Sequence, residues 1–239
     1  MSKYALVTGA SRGIGKSISQ ALAKEGYHLI LTCSKSLNEL LCFASQLQKD
    51  YNITCTAKQC DMKNAEEVHS LFEDIPHLDL LVNNAGISYV GLLQDMKPEE
   101  WNDVISTNLS SAFYTSKYAI PLMLHNHAGH IINISSVWGN IGAAAEVAYS
   151  ASKGGLNSFT KALAKELAPS GIQVNAIACG LIDTQMNAHL SEEDLNALKD
   201  EIPAGRAGST DEVAQALLSI LKMPSYFTGQ VVTLDGGWI

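Results

Sequence analysis

A short apolar run, Tyr4-Ala5-Leu6-Val7, passes directly into Thr8-Gly9-Ala10-Ser11-Arg12-Gly13-Ile14-Gly15, and then into a segment whose apolar residues Ile14, Ile18, Ala21 and Leu22 recur at helical spacing until Gly26. A buried strand, a glycine turn and a helix in that order leave few folds open, because they are the opening of a dinucleotide-binding βαβ unit. The glycines permit a tight turn and close backbone approach. The start of the helix offers free N–H groups to a pyrophosphate. Gly9, Ser11, Arg12, Gly13, Ile14 and Gly15 are therefore the expected contacts of a bound dinucleotide.

Further short apolar runs alternate with helical patterns along the chain, which is the signature of a parallel sheet with crossover helices. Strands are expected at residues 4–7, 29–32, 54–58, 78–82, 130–134, 173–177 and 231–234. Long helices are expected at about 98–124 and 150–168. Right-handed crossovers make this a doubly wound α/β sheet of seven mostly parallel strands, with helices on both faces and a ligand crevice at the carboxyl ends of the strands. At 239 residues the chain fits one domain, 1–239. Its longest departure from simple alternation is a segment at about 180–208, in which Ser191-Glu192-Glu193-Asp194 starts a helix with a capping pattern.

Tyr149 and Lys153 stand four apart in a helical stretch, with Ser136 thirteen residues before Tyr149. That spacing stacks the lysine and the tyrosine on one helix face. An ammonium beside a phenol favours the phenolate, so the Tyr149 pKa is expected to be lowered. A phenol tuned in this way gives a proton to a carbonyl oxygen as hydride reaches the carbon, and Ser136 supplies a hydrogen bond to the same oxygen. The end of the second strand decides which dinucleotide is used. An acidic residue there binds ribose hydroxyls and repels a 2′-phosphate, but this chain has Cys33, Ser34 and Lys35. With Arg12 and Lys35 available for charge-assisted bonds to the phosphate, NADPH is expected over NADH.

Composition removes several other classes. The net charge of −8 and the lack of a basic stripe argue against nucleic acid. No apolar run approaches a membrane span and the first strand begins at once, so a cytoplasmic protein without a signal peptide is expected. Five cysteines, with no Cys-x-x-Cys, argue for reduced packing thiols. His125, His127 and His130 cluster before a strand, but no cysteine or carboxylate close in sequence completes a tetrahedral set, and no metal is expected.

Gly9-x-x-x-Gly13-x-Gly15, Asn83-Asn84-Ala85-Gly86, Asn108, Ser136, Tyr149 and Lys153, taken together, resemble the short-chain dehydrogenase/reductase family, and the resemblance runs from Lys3 to Ile239. It implies a Rossmann-type fold and a catalytic tetrad of Asn108, Ser136, Tyr149 and Lys153. In that family the asparagine shapes a helix and holds a water that relays protons to the lysine. It also implies that Lys153 bonds the nicotinamide ribose and that Asn83, Ala85 and Gly86 line the cofactor groove. By the same resemblance Asp61 meets the adenine, Thr184 reaches the carboxamide, Met62 and Ile182 are further cofactor contacts, and 180–208 is a mobile substrate lid.

Within the family, Ile202-Pro203-Ala204-Gly205-Arg206, Thr228-Gly229-Gln230 and Asp235-Gly236-Gly237 are most similar to 3-oxoacyl-acyl-carrier-protein reductases of fatty acid synthesis. Two positions depart from that group. His125-Asn126-His127 and Pro169-Ser170 stand where arginines usually meet the acidic carrier, and Cys179 replaces the proline of a Pro-Gly hinge. Ser135-Ser136-Val137-Trp138-Gly139 and Glu146-Val147 are also similar to reductases that complete the aminopentanol modification of elongation factor P. For that substrate Glu146 or Asp183 suits an ammonium group. A free-ketone, sugar or steroid dehydrogenase and a non-catalytic NADPH-binding sensor are the remaining alternatives. The resemblance also implies a homotetramer built on the two long helices, where Ala112, Gly154 and Gly155 permit close approach.

Overall fold

The computed structural model describes residues 3–188 and 190–239; Met1, Ser2 and His189, the last within the expected lid, lie outside the described residues. Seven strands form, β1 (Tyr4–Val7), β2 (His28–Cys33), β3 (Cys55–Gln59), β4 (Leu80–Asn83), β5 (Gly129–Ser136), β6 (Ile172–Cys179) and β7 (Val231–Leu234). All pair in parallel in one sheet, ordered β3-β2-β1-β4-β5-β6-β7. The expected doubly wound sheet is thus present, its strand ends displaced by a residue or two.

Nine α-helices stand among the described residues: α1 (Gly13–Lys24), α2 (Leu37–Tyr51), α3 (Ala65–Glu73), α4 (Pro98–Ile105), α5 (Ser111–Leu124), α6 (Trp138–Ile141), α7 (Val147–Leu167), α8 (Glu192–Glu201) and α9 (Thr210–Leu221). Both faces of the sheet are covered, which is why its strands read as unbroken apolar runs. Leu29, Leu31 and Cys33 of β2 pack with Ile18 and Leu22 of α1, Leu40 and Leu47 of α2, and Leu217 of α9. Ile30, between them, points to the opposite face, where Leu71, Met123 and Leu163 bring in α3, α5 and α7. Chain order reverses between β1 and β4, so the loops leaving those two strands diverge and open a crevice at their carboxyl ends.

The single helix expected over 98–124 is broken. After α4 the chain makes one π-helical turn, Ser106–Ser110, before α5 begins. Two of the small residues expected to admit a second subunit, Ala112 and Gly155, pack against this chain's own elements. Ala112 is buried, a Cβ on Gly155 would lie 2.8 Å from Leu109 of the π turn, and a Cβ on Gly154 would meet the Gly139 carbonyl at 3.4 Å.

Candidate active site

The glycine turn is held rigid from the side of β4. Gly9 and Gly13 have φ of 64° and 54°, in the left-handed region that side chains disfavour. Gly15 is needed for a different reason, since a Cβ there would lie 2.4 Å from the Gly9 carbonyl oxygen and 2.5 Å from Asn84 Nδ2. Asn84 Nδ2 donates to the carbonyls of Thr8 (2.9 Å) and Gly9 (3.0 Å). The Thr8 hydroxyl accepts in return from the backbone N–H groups of Asn84 and Ala85, both at 3.0 Å. Helix α1 carries no acidic residue in its first turn and no side chain caps its N-terminus. Its first N–H groups therefore face the crevice as an anion-binding cradle, a fit for a pyrophosphate.

Asn84 was not among the expected site residues, although it lies inside the quoted motif. Asn83, its neighbour, turns its side chain the other way. Asn83 Nδ2 donates to Asn133 Oδ1 at 2.9 Å, its Oδ1 accepts from Thr115 at 2.6 Å, and Asn133 Nδ2 donates onward to Thr160 at 2.8 Å. These four residues form a buried polar row across β4, β5, α5 and α7, so Asn83 offers the groove only its backbone.

The catalytic candidates converge where β5, the π turn and α7 meet. The π turn aims the buried Asn108 side chain at the loop after β4. Its Oδ1 accepts from the Ile87 N–H at 2.8 Å, and its Nδ2 donates to the Ile87 carbonyl at 2.9 Å and to Ser152 Oγ at 3.0 Å. Ser152 in turn donates to the Tyr149 carbonyl at 2.7 Å, so Asn108 joins the cofactor-side loop to the helix bearing Tyr149 and Lys153. Lys153 Nζ donates to the Ile134 carbonyl at 2.8 Å and lies 5.7 Å from the centroid of the Tyr149 ring. Gly86 closes the other side, where a Cβ would be 3.3 Å from Asn108 Oδ1 and 3.6 Å from Lys153 Nζ. Ser136 ends β5, and its Oγ accepts from the Trp138 N–H at 3.2 Å, which leaves its O–H to donate.

The Tyr149 pKa moves opposite to the expectation. Burial raises it above 10.0, and the hydrogen bond with Ser136 offsets only part of the rise. The lysine does not overcome this, because desolvation brings Lys153 itself down to about 8 and its ammonium is spent on the Ile134 carbonyl. At neutral pH the site therefore holds a protonated phenol beside a cation, the state a proton donor needs. Cys179 pairs with Ser136 across β5 and β6, and its thiol is pushed up to about 12 by burial. It packs as a neutral side chain.

The remaining expected cofactor residues ring the same crevice. Thr184 lies over the glycine turn, since a Cβ on Gly13 would come within 3.6 Å of its Cγ2. Ile182 is buried and bridges to Gly208, tying the two ends of the 180–208 segment together. Arg12, Ser34 and Lys35 are exposed at the β1 and β2 side, and Arg12 Nη1 donates to Gln185 Oε1 at 3.2 Å. Asp61 and Asn64 line a shallow cleft of about 530 Å³ beyond β3, and the Lys63 N–H fixes the Asp61 carboxylate at 3.2 Å. Met62 faces inward, accepting at 3.6 Å from Thr32, so only its backbone can meet a ligand.

Helix α8 begins with the expected cap, as Ser191 Oγ accepts from the Asp194 N–H at 3.1 Å. Glu146 immediately precedes α7, and its charge contributes to raising the Tyr149 pKa, which places it near the phenol. Asp183 is exposed in the 180–208 segment. Ala145 has φ of 61° and its carbonyl accepts from the Gly91 N–H at 2.8 Å, fixing the loop that presents Glu146. His125 and His127 are exposed, and among the described residues no three of His, Cys, Asp and Glu converge.

A family model described as short chain dehydrogenase matches residues 3–195. An uncharacterized oxidoreductase of Bacillus subtilis (strain 168), YmfI, is 39% identical over 240 residues, covering 100% of this chain and 99% of that protein. The 3-oxoacyl-[acyl-carrier-protein] reductase FabG of Aquifex aeolicus (strain VF5) is 40% identical over 240 residues, 98% of this chain and 96% of its own. Among solved structures, a variant of actinorhodin polyketide ketoreductase crystallised with NADPH superposes with a TM-score of 0.93 at 33% identity, covering 99% of this chain and 97% of that one.

Proposed function

Because the chain belongs to the short-chain dehydrogenase family, we propose that it is an NADPH-dependent reductase that converts a 3-ketoacyl thioester on acyl carrier protein to its 3-hydroxyacyl form. The observation that carries this reading is the convergence of Tyr149, Ser136 and Lys153 in the crevice, beside a glycine turn shaped for pyrophosphate. When bound, the nicotinamide supplies the hydride to the carbonyl carbon. Tyr149 gives its phenolic proton to the carbonyl oxygen, and the Ser136 hydroxyl donates to the same oxygen as charge develops there. Lys153 stabilises the resulting phenolate until it is reprotonated. Asn108 keeps Tyr149 and Lys153 in phase with the Ala85–Gly86 backbone through Ser152 and Ile87. Arg12 and Lys35 meet the 2′-phosphate, with Ser34 beside it, and Asp61 and the Met62 backbone bound the adenine end. Ile182 and Thr184 close over the nicotinamide end.

The whole chain acts as one domain in this reading, with 180–208 as a lid. It works in the cytoplasm, and no helix among the described residues is long and apolar enough to cross a membrane. It assembles as a homotetramer through α5 and α7, which the exposed Phe113 and Leu124 on α5 support.

Glu146 favours a second substrate. A carboxylate near the Tyr149 phenol suits a ketone that bears an ammonium, such as the aminopentanone on elongation factor P. The deciting experiment measures NADPH oxidation with acetoacetyl thioester, free and carrier-bound, beside an amine-bearing ketone. A preference for the carrier-bound thioester is expected. A preference for the aminoketone that Glu146→Gln abolishes would overturn the thioester in favour of protein modification.

A further inference from the structure

Residues 235–239 touch both ends of the lid segment. A Cβ on Gly180, where the segment leaves β6, would lie 2.8 Å from Asp235 Cα. At the other end the Ala204 N–H donates to the Gly236 carbonyl at 3.1 Å, and a Cβ on Gly236 would lie 2.9 Å from both Ala204 and Ile202. Asp235 folds its own segment back, accepting from the N–H groups of Gly237 at 3.0 Å and Ile239 at 2.9 Å. That turn presents Trp238, which makes two contacts of its own. Trp238 Nε1 donates to Glu201 Oε2 at 3.3 Å, at the last residue of α8. The Trp238 ring lies edge-on to Trp138, centroids 4.9 Å apart at 60°. The Trp138 N–H is the donor that fixes Ser136 Oγ.

From this chain of contacts we infer that Trp238 is a positioning residue, a latch that holds the lid helix closed against the wall carrying the catalytic serine. One side chain contacts the lid through Glu201 and the catalytic wall through Trp138. Losing it lowers the closed population of the lid, and apparent affinity falls in proportion to the closed fraction while the reacting groups stay in place. The kinetic part rests on the reductase reading; the lid contact does not.

Two measurements on the full chain therefore test it. Trypsin cleavage after Lys199, in the last turn of α8, reports release and unwinding of that helix end whatever the enzyme's substrate. Trp238→Ala is expected to speed that cleavage about tenfold, equivalent to about 1.4 kcal/mol. Trp238→Phe, which keeps a ring against Trp138 but loses the bond to Glu201, is expected to fall between, and guards against misfolding of the alanine variant. Adding Trp138→Ala to Trp238→Ala should add little to Trp238→Ala alone, since the ring contact is already gone. With acetoacetyl-coenzyme A and NADPH, a tenfold rise in a minor open population barely lowers the closed fraction, so Trp238→Ala should change KM and kcat by less than about twofold. Wild-type cleavage rates in both Trp238 variants, or full additivity in the double variant, would overturn the latch. Faster cleavage with no turnover of acetoacetyl-coenzyme A even in the wild type would support the latch and count against the thioester reading.

Discussion

Asn84→Ala tests how the glycine turn keeps its shape. The substitution removes two donated bonds, to the Thr8 and Gly9 carbonyls at 2.9 and 3.0 Å, from a part-buried position. A hydrogen bond is worth about 1 kcal/mol net, so the loss is about 2 kcal/mol. For a chain of this size each kcal/mol moves the midpoint of thermal unfolding by about 2–4 °C, which gives a fall of about 4–8 °C. The same loss frees the turn to leave the conformation that receives the pyrophosphate, so the NADPH dissociation constant should rise at least about tenfold. Differential scanning fluorimetry reads the first effect and quenching of NADPH fluorescence titrations the second. The catalytic cluster lies on other elements, so kcat at saturating NADPH should change little. A midpoint within a degree of the wild type, with unchanged NADPH affinity, would refute the role given to Asn84.

Tyr149→Phe should retain the melting temperature and NADPH binding while turnover falls by several orders of magnitude, because only the transferable proton is lost; steady-state kinetics with binding titrations check this. Lys153 is charged below its pKa of about 8, so kcat/KM should fall as pH rises through that value. Stability moves the other way: the unfolded lysine titrates near 10.5 and binds more protons than the folded one between about 8 and 10.5, so Lys153 makes the fold more stable as pH rises across that window. Denaturant titrations of the wild type and Lys153→Met across it check the sign. If Arg12 and Lys35 meet the 2′-phosphate as proposed, Arg12→Ala with Lys35→Ala should cut the preference for NADPH over NADH at least about tenfold, measured as the ratio of kcat/KM values.

Seven strands were legible because each is a short apolar run buried on both faces, and the glycine turn because its residue types have few other uses. Residues 98–124 show where that legibility stops. Their apolar period continues through Asn108, and nothing in a 3.6-residue repeat marks the π turn that rotates this side chain onto Ile87 and Ser152. The rise in the Tyr149 pKa is invisible in the sequence for a related reason. Spacing places Lys153 beside the phenol, but desolvation and the competing Ile134 carbonyl come from β5, which is distant in sequence. Ala145, with its positive φ, and the pairing of Trp138 with Trp238 likewise arise only from packing between remote segments.

The buried row of Asn83, Asn133, Thr115 and Thr160 bears on how the chain finds its native alignment. Asn83 lies opposite Asn133 in the β4–β5 ladder, among otherwise apolar neighbours. Sliding β4 by one residue would turn Asn83 to the opposite face and leave its partners without their bonds, at about 1–3 kcal/mol for each unsatisfied group. Purely apolar strands tolerate such slips as near-isoenergetic traps. The polar row therefore penalises misregistered pairing, so that the loop after β4 and the strand that ends in Ser136 are aligned by the same bonds.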